Sequence, residues 1–162
     1  MEALLRAYAE IGERTPLGTD CGLLCGAACC GQDADGQGGV FLFPGEEALL
    51  ADCAWGGIEA KRPGWIAPVL QCGFPCDRER RPLGCRIFPL TPVLGKDGLW
   101  TVRMDARSRP MCPLARSGVR GLDGEFVRAV RRALRVIAET PEGDAFLRAW
   151  AALEAEFRKE LW

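Results

Sequence analysis

The sequence predicts an α+β fold that is mostly helical and contains one short β-hairpin. Apolar residues recur at helical spacing near both ends of the chain. Between these segments, β-branched and aromatic residues flank a four-residue turn, Gly95 to Gly98, which is typical of a hairpin. A chain of 162 residues is most simply one domain. We therefore expect a single domain over residues 1–162, with a cysteine-bearing half at 15–115 and a helical half at 116–162.

The elements of the first half are predicted from helical spacing and from the residues that end helices. A helix is expected over Ala3 to Arg14, where a Thr-Pro pair follows the last apolar residue. Val40 to Phe43 is expected to be a short strand or an extended segment. A second helix is expected from Pro44 through Trp55, because a pair of glycines follows it. A further apolar run at 66–71 leads into Cys72.

The hairpin strands are predicted over Arg86 to Leu94 and over Leu99 to Asp105. Cys85 would then lie at the start of the hairpin, and Cys112 just past its end. Because the two ends of a hairpin lie close together, we expect both thiols to reach the same neighbourhood.

Two helices are predicted in the last third of the chain. Asp123 is expected to cap the first, and Thr140 with Pro141 to begin the second. Opposite its apolar face, the first helix carries an arginine stripe: Arg128, Arg131, Arg132 and Arg135. We interpret this stripe as a solvated face that is partly matched by acidic residues of the last helix: Glu154, Glu156 and Glu160. The alternative is a docking face for an acidic protein or a phosphate-bearing ligand.

Composition and charge exclude several classes of function. A net charge of -1 and a pI of about 5.6 provide no bulk attraction to nucleic acid or to an anionic membrane. No apolar run approaches the ~20 residues that a membrane-spanning helix requires. The amino-terminal segment carries charges and lacks the apolar core of an export signal, so we expect a cytoplasmic protein without nucleic-acid or membrane partners.

The chain contains nine cysteines and no histidine. The absence of histidine removes Ser-His-Asp and Cys-His catalytic arrangements, zinc sites with imidazole ligands and histidine-ligated haem. In a reducing cytosol, clustered thiols indicate metal binding or catalysis rather than disulfides. No catalytic residue is assigned, and the sequence leaves open whether the protein is an enzyme.

Two segments carry most of the cysteines. The first, CGLLCGAACC, places four of them within Cys21 to Cys30, and the second, Cys72 to Leu90, contains three more. Cys53 is set aside as a small buried apolar residue within its predicted helix. Eight candidate metal ligands remain: Cys21, Cys25, Cys29, Cys30, Cys72, Cys76, Cys85 and Cys112.

The spacing of these cysteines is compatible with an iron–sulfur cluster or with zinc. Cys21, Cys25 and Cys29 suit three corners of a 4Fe–4S cubane whose fourth ligand comes from a distant segment. Structural zinc more often uses two short cysteine pairs, and Cys21/Cys25 with Cys72/Cys76 satisfies that pattern equally well. Eight thiols could therefore serve two zinc sites, or one cluster with additional thiols.

Three motifs stand in the cysteine-bearing half: CGLLCGAACC at 21–30, VFLFPGEE at 40–47 and CDRERRPLGCRIFP at 76–89. Together they resemble the YkgJ-like family, which is described as zinc- or iron-chelating CxxCxxCC domains. The resemblance covers roughly residues 19–90, about half of the chain. It implies metal binding by seven cysteines: Cys21, Cys25, Cys29, Cys30, Cys72, Cys76 and Cys85. Cys112 is added from the hairpin argument.

Arg81 and Arg86 flank Cys85 in the sequence. As cofactor-binding residues they would offset the negative charge of a multi-thiolate centre, whereas the alternative is that both are ordinary surface arginines. We therefore expect a small α+β domain with a cysteine-ligated metal centre that holds an iron–sulfur cluster or zinc, with a redox role. The alternative is a zinc-stabilised structural or protein-interaction module without catalytic activity.

Overall fold

The computed structural model describes residues 1–30, 38–72, 76 and 79–160, and about half of the chain is helical. The helices are α1 (Glu2–Ile11), α2 (Gly22–Cys25), α3 (Glu46–Leu50), α4 (Leu83–Ile87), α5 (Gly124–Ile137) and α6 (Pro141–Glu160). The strands are β1 (Gly39–Phe41), β2 (Gly56–Glu59), β3 (Val69–Cys72), β4 (Leu90–Leu94) and β5 (Trp100–Met104). The α+β class is confirmed. No described helix is long and apolar enough to cross a membrane.

The strands form two small antiparallel sheets. β1, β3 and β2 form a three-stranded sheet in that order, and β4 pairs with β5. The second sheet confirms the predicted hairpin, since Leu94 pairs with Trp100 around the expected turn.

The three-stranded sheet differs from the prediction, which ended a helix at the glycines that begin β2. Gly56 pairs with Cys72, and a Cβ atom at Gly56 would lie 2.7 Å from the carbonyl oxygen of Gln71. The glycine therefore permits a close approach of two strands instead of ending a helix. The predicted helix from Pro44 through Trp55 is correspondingly reduced to the five residues of α3.

The start of the hairpin also differs from the prediction. β4 begins at Leu90 because the preceding residues form α4, which Pro82 begins with an extended backbone (ψ 151°). Cys85 lies within this helix and not at the start of a strand. Cys112 lies between two short 3₁₀ segments, Ala106–Ser108 and Pro113–Ser117, which follow β5.

One large apolar core contains residues from both predicted halves of the chain. α1 packs mainly against α5, and α6 packs against β4. An aromatic cluster joins the halves, with the ring centroids of Phe43 and Phe146 4.7 Å apart and those of Phe43 and Trp150 5.5 Å apart. A smaller core of Leu42, Leu50 and Leu70 lies beneath the three-stranded sheet and contacts Cys53 and Cys72.

The caps of the carboxyl-terminal helices are as predicted. The backbone N–H of Phe126 donates to the Asp123 carboxylate (2.8 Å), and the N–H of Gly143 donates to the Thr140 hydroxyl (3.1 Å). These bonds satisfy amides that the first turn of a helix leaves without partners.

The arginine stripe pairs with other partners than the predicted glutamates of α6. Arg132 forms a 2.7 Å ion pair with Glu10 of α1, and Arg135 donates to the carbonyl oxygen of Trp100. Glu154 is buried and pairs with Arg158 of its own helix. Arg128, Arg132 and Arg135 are exposed, as expected of a solvated face, but the partners of Arg132 and Arg135 lie on α1 and β5 because α5 packs against those elements, which a helical pattern by itself does not reveal.

A buried carboxylate connects three segments around the cysteines. Glu46 is fully buried and accepts hydrogen bonds from the Tyr8 hydroxyl of α1, the Phe43 amide (2.8 Å) and the Leu83 amide at the start of α4 (2.6 Å). Burial raises the pKa of Glu46 above its ordinary value, although the three donors oppose this shift.

The close contact of α4 with β1 predicts the effect of a methyl group at Gly84. A Cβ atom there would lie 2.5 Å from a methyl carbon of Val40. We expect Gly84→Ala to lower the free energy of unfolding by about 1–3 kcal/mol in urea denaturation, because α4 must move. Gly57→Ala is the control, since a Cβ atom at Gly57 meets nothing within 4 Å. Equal stability of the two variants would contradict the close packing.

The raised pKa of Glu46 predicts a pH-dependent stability. The stabilisation is fully present below the ordinary pKa of 4.5 and is lost as the pH rises through the higher pKa of the folded state. Glu46→Gln has no proton to lose at this position. The unfolding free energy of the wild-type protein minus that of this variant should therefore fall as the pH rises from about pH 4 to about pH 8. A difference that stays constant over this range would show that the folded carboxyl titrates normally.

Candidate metal centre

The first cysteine segment folds as two single helical turns joined by a left-handed pair of residues. Cys21 precedes α2 and Cys25 ends it, so the spacing of four places both on one face of the helix. Gly26 and Ala27 have φ angles of 61° and 56°, which reverse the chain into the 3₁₀ turn Ala28–Cys30. The positive φ of a non-glycine residue marks a strained backbone beside the cysteines.

The second cysteine segment supplies thiols from a strand end and a helix. Cys72 is the last residue of β3, and its thiol donates to the carbonyl oxygen of Leu70 (3.8 Å). Cys85 lies in the middle of α4, whose amino end is held by Glu46. Cys76 lies between these two elements and is partly buried.

All eight candidate cysteines lie on the walls of two adjoining cavities. The first cavity, of about 80 Å³, is lined by five of them: Cys21, Cys25, Cys29, Cys85 and Cys112. The second, of about 50 Å³, is lined by Cys29, Cys30, Cys72, Cys76 and Cys85. Cys112 therefore reaches the same neighbourhood as Cys85, although Cys85 lies in a helix and not at the start of the hairpin.

The cysteines are close enough to influence one another's titration. Burial, followed by the neighbouring thiols of Cys76 and Cys30, raises the pKa of Cys72 to about 11. Burial and the thiols of Cys72 and Cys30 raise the pKa of Cys85. The pKa of Cys29 is raised mainly by its hydrogen bond with Cys30. Cys29, Cys72 and Cys85 therefore favour their protonated forms in the absence of additional positive charge.

Arg81 and Arg86 lie in different surroundings. Arg81 lines both cavities, and its guanidinium donates to the sulfur of Cys76 (3.7 Å). Burial opposes the charge of Arg81, but the hydrogen bond and the nearby thiols outweigh it and raise its pKa. Arg86 lines only the first cavity of the two, and its three guanidinium nitrogens donate to the carbonyl oxygens of Arg81, Gly12 and Glu79. Its geometry is that of a residue that holds α1 and α4 together.

Cys53 lies outside the two cavities. Its thiol donates to the carbonyl oxygen of Gly56 (3.7 Å), and its side chain packs against the smaller apolar core. This position agrees with the interpretation of Cys53 as a buried apolar residue, and it makes Cys53 a useful control for the other eight.

The thiols line common cavities but are not arranged as the ligand set of a metal ion. Within residues 1–30, 38–72, 76 and 79–160, no group of three or more cysteine, aspartate or glutamate side chains is arranged so that it could hold a metal ion. The metal centre thus stays a prediction. The backbone places the eight thiols around shared cavities.

Sequence reasoning did not find the largest cavity beside the cysteines. This groove, of about 560 Å³, includes Cys29, Cys30 and Cys85 and extends along aromatic side chains to Arg107. Its described walls come from six separate segments of the chain, so no local spacing in the sequence indicates it.

Comparison of the chain with protein-family models, with curated proteins and with solved structures finds no match. The resemblance to the YkgJ-like family therefore rests on the three motifs alone.

Proposed function

We propose that this protein binds metal through cysteine thiolates, as an iron–sulfur cluster or as zinc. The observation that carries this proposal is the placement of eight of the nine cysteines around two adjoining cavities, although they come from four separate parts of the chain. Thiols dispersed through a protein as small apolar residues would have no reason to meet in this way. The motif resemblance to metal-chelating domains points in the same direction.

We assign the thiols to two groups of four, although Cys29 and Cys85 line both cavities and Cys29 is hydrogen-bonded to Cys30. Cys30, Cys72, Cys76 and Cys85 form the second-cavity group, because Cys72 is coupled electrostatically to Cys30 and Cys76, and Cys85 to Cys72 and Cys30. The first-cavity group then consists of Cys21, Cys25, Cys29 and Cys112. Four thiolates are the usual ligand set of a structural zinc ion and of a 4Fe–4S cluster.

Charge supports a soft metal ion as the missing component. Thiols must lose their protons to bind a metal, and four adjacent thiolates repel one another. Among the described residues that line the two cavities, the cations are Arg14, Arg81 and Arg86, which are too few to balance eight thiolates. A metal ion or cluster supplies the remainder and lowers the pKa of every thiol it binds.

The first cysteine segment favours a stabilising role for the metal over a purely redox role. Neither α2 nor the turn Ala28–Cys30 contains a buried residue, and Leu23 and Leu24 are 86% and 57% exposed. Apolar packing therefore contributes little to holding this segment in place. A bound metal would connect it to α4 and would add folding free energy of ~10 kcal/mol. This is the specific support for a zinc-stabilised module.

The deciding experiment is the iron, zinc and acid-labile sulfide content of protein purified without oxygen or chelators. We expect bound metal in wild-type protein and a loss of at least about half of it in Cys25→Ser and in Cys76→Ser, because each removes one of four ligands from a group. Cys53→Ser should retain the wild-type content, since this thiol lies outside the cavities.

Equal iron and sulfide would identify a cluster, and zinc without sulfide would identify a zinc protein. Complete loss in both ligand variants would indicate one shared centre, whereas partial loss in each would indicate two. The absence of bound metal in wild-type protein, or equal losses in all three variants, would contradict the proposal.

The two adjacent arginines offer a matched test of charge compensation. Arg81→Gln should release its metal to a competing chelator about tenfold faster, the equivalent of 1.4 kcal/mol, because the thiolates lose their nearest cation. Arg80→Gln is the control, since Arg80 pairs with the exposed Asp52 and donates to the carbonyl oxygen of Leu49. The rate of metal release from Arg80→Gln, measured by the absorbance of the chelator complex, should equal that of the wild-type protein. Identical release rates in the two variants would show that Arg81 does not contribute to metal binding.

A further inference from the structure

A groove of about 560 Å³ runs from the cysteines along β1 and β3 to the 3₁₀ turn after β5. Its volume lies within the range of small-molecule binding sites, roughly 300–1,000 Å³. At one end it is lined by Cys29, Cys30 and Cys85, and the groove therefore opens onto both cysteine cavities. At the other end, the groove is lined by Asp105 and Arg107.

The walls of the groove present flat apolar surfaces. Phe41 and Trp65 meet edge to face with their ring centroids 6.3 Å apart, and Phe88 and Trp150 contribute further rings. Aromatic walls of this kind favour a flat ligand, because ring contacts add to the free energy of apolar burial.

Arg107 is held in a fixed orientation at the groove. Its Nε and Nη2 atoms donate to the two carboxylate oxygens of Asp105 at 3.0 and 2.6 Å, and Asp105 is only 2% exposed. The Nη1 atom of Arg107 makes no hydrogen bond within the described residues, and 37% of the side chain is exposed. The result is a cation whose orientation is set in advance and whose free edge is available to a ligand.

The charged lining favours an anion with a small charge. Arg81 and Arg107 provide two positive charges, and Asp105 offsets one of them. A cationic ligand is disfavoured by this balance, and a polyphosphate would leave most of its charge without a partner. A carboxylate suits the planar edge of a guanidinium group and needs a single compensating charge.

We propose that this groove binds a small carboxylic acid with a flat apolar body. The body lies along the rings of Phe41, Trp65 and Phe88, and the carboxylate accepts hydrogen bonds from the free edge of Arg107. The opposite end of the ligand then lies beside Cys29, Cys30 and Cys85. Its identity as the substrate of the metal site rests on the proposed function, whereas its binding in the groove does not.

The test compares 2-naphthoate with 2-naphthamide, a neutral molecule of nearly the same shape, by isothermal titration of the protein as purified. We expect 2-naphthoate to bind at one site per chain and about tenfold more tightly, because the amide cannot form the charged contact. Trp65→Leu should weaken both ligands by a similar factor, since it removes part of a flat wall. Metal content is measured on the same sample.

Removal of Arg107 alone leaves the buried Asp105 without its partner, so the charge test uses the double variant Asp105→Asn/Arg107→Gln. This variant should bind the two ligands equally, and Arg116→Gln, which lies outside the groove, should keep the wild-type preference. Equal affinity of the wild-type protein for the two ligands, or a preference that survives in the double variant, would overturn the proposal. Bound metal without naphthoate binding would overturn only the proposal of a ligand in the groove. Naphthoate binding without bound metal would overturn only the proposed metal-binding function.

Discussion

The position of Cys85 depends on a single buried carboxylate. Glu46 accepts hydrogen bonds from Tyr8, Phe43 and Leu83, which belong to α1, the end of β1 and the start of α4. Because Cys85 lies two residues after Leu83, the direction of its thiol follows from this contact. Buried polar groups are costly unless they are satisfied, and a fully satisfied one specifies a unique arrangement of the segments it joins.

Near Glu46, more cysteine thiols lie together than the nearby positive charges could balance if all of these thiols were deprotonated. Arg81 lies between the two cavities and is shared by both groups of thiols, while Arg86 is occupied by three backbone carbonyls. Protonated thiols tolerate such crowding, but thiolates do not. The surroundings thus connect the binding of a soft cation to the release of several protons, a coupling that is general for thiolate sites.

The sequence predicts those features that depend on local patterns. The caps at Asp123 and Thr140 and the turn between Leu94 and Trp100 follow from short-range signals. The three-stranded sheet could not be predicted because glycine at position 56 has two physical uses, helix termination and close strand approach. Only the distance to Gln71 distinguishes them.

The site itself was predictable as a set of residues and not as a geometry. The motifs name seven of the candidate cysteines and the hairpin argument adds Cys112, but which of them line a common cavity depends on how β3 and α4 pack against the first segment. Arg107 and the groove were missed, since a preorganised arginine requires a buried partner that no pattern in the sequence marks. The arginine stripe had a clear pattern, yet its partners in α1 and β5 depend on tertiary packing.

The lack of buried residues between Cys21 and Cys30 affects the order in which parts of the protein open and would bind metal. Segments with few apolar contacts open at free energies far below that of global unfolding, and their amides exchange with solvent first. The core around α4 and β3 keeps its structure during such openings. If metal binds as proposed, Cys72, Cys76 and Cys85 bind it first, and the segment 21–30 closes over it afterwards and adds Cys30, so that metal is loaded and released by local opening while the rest of the fold stays intact.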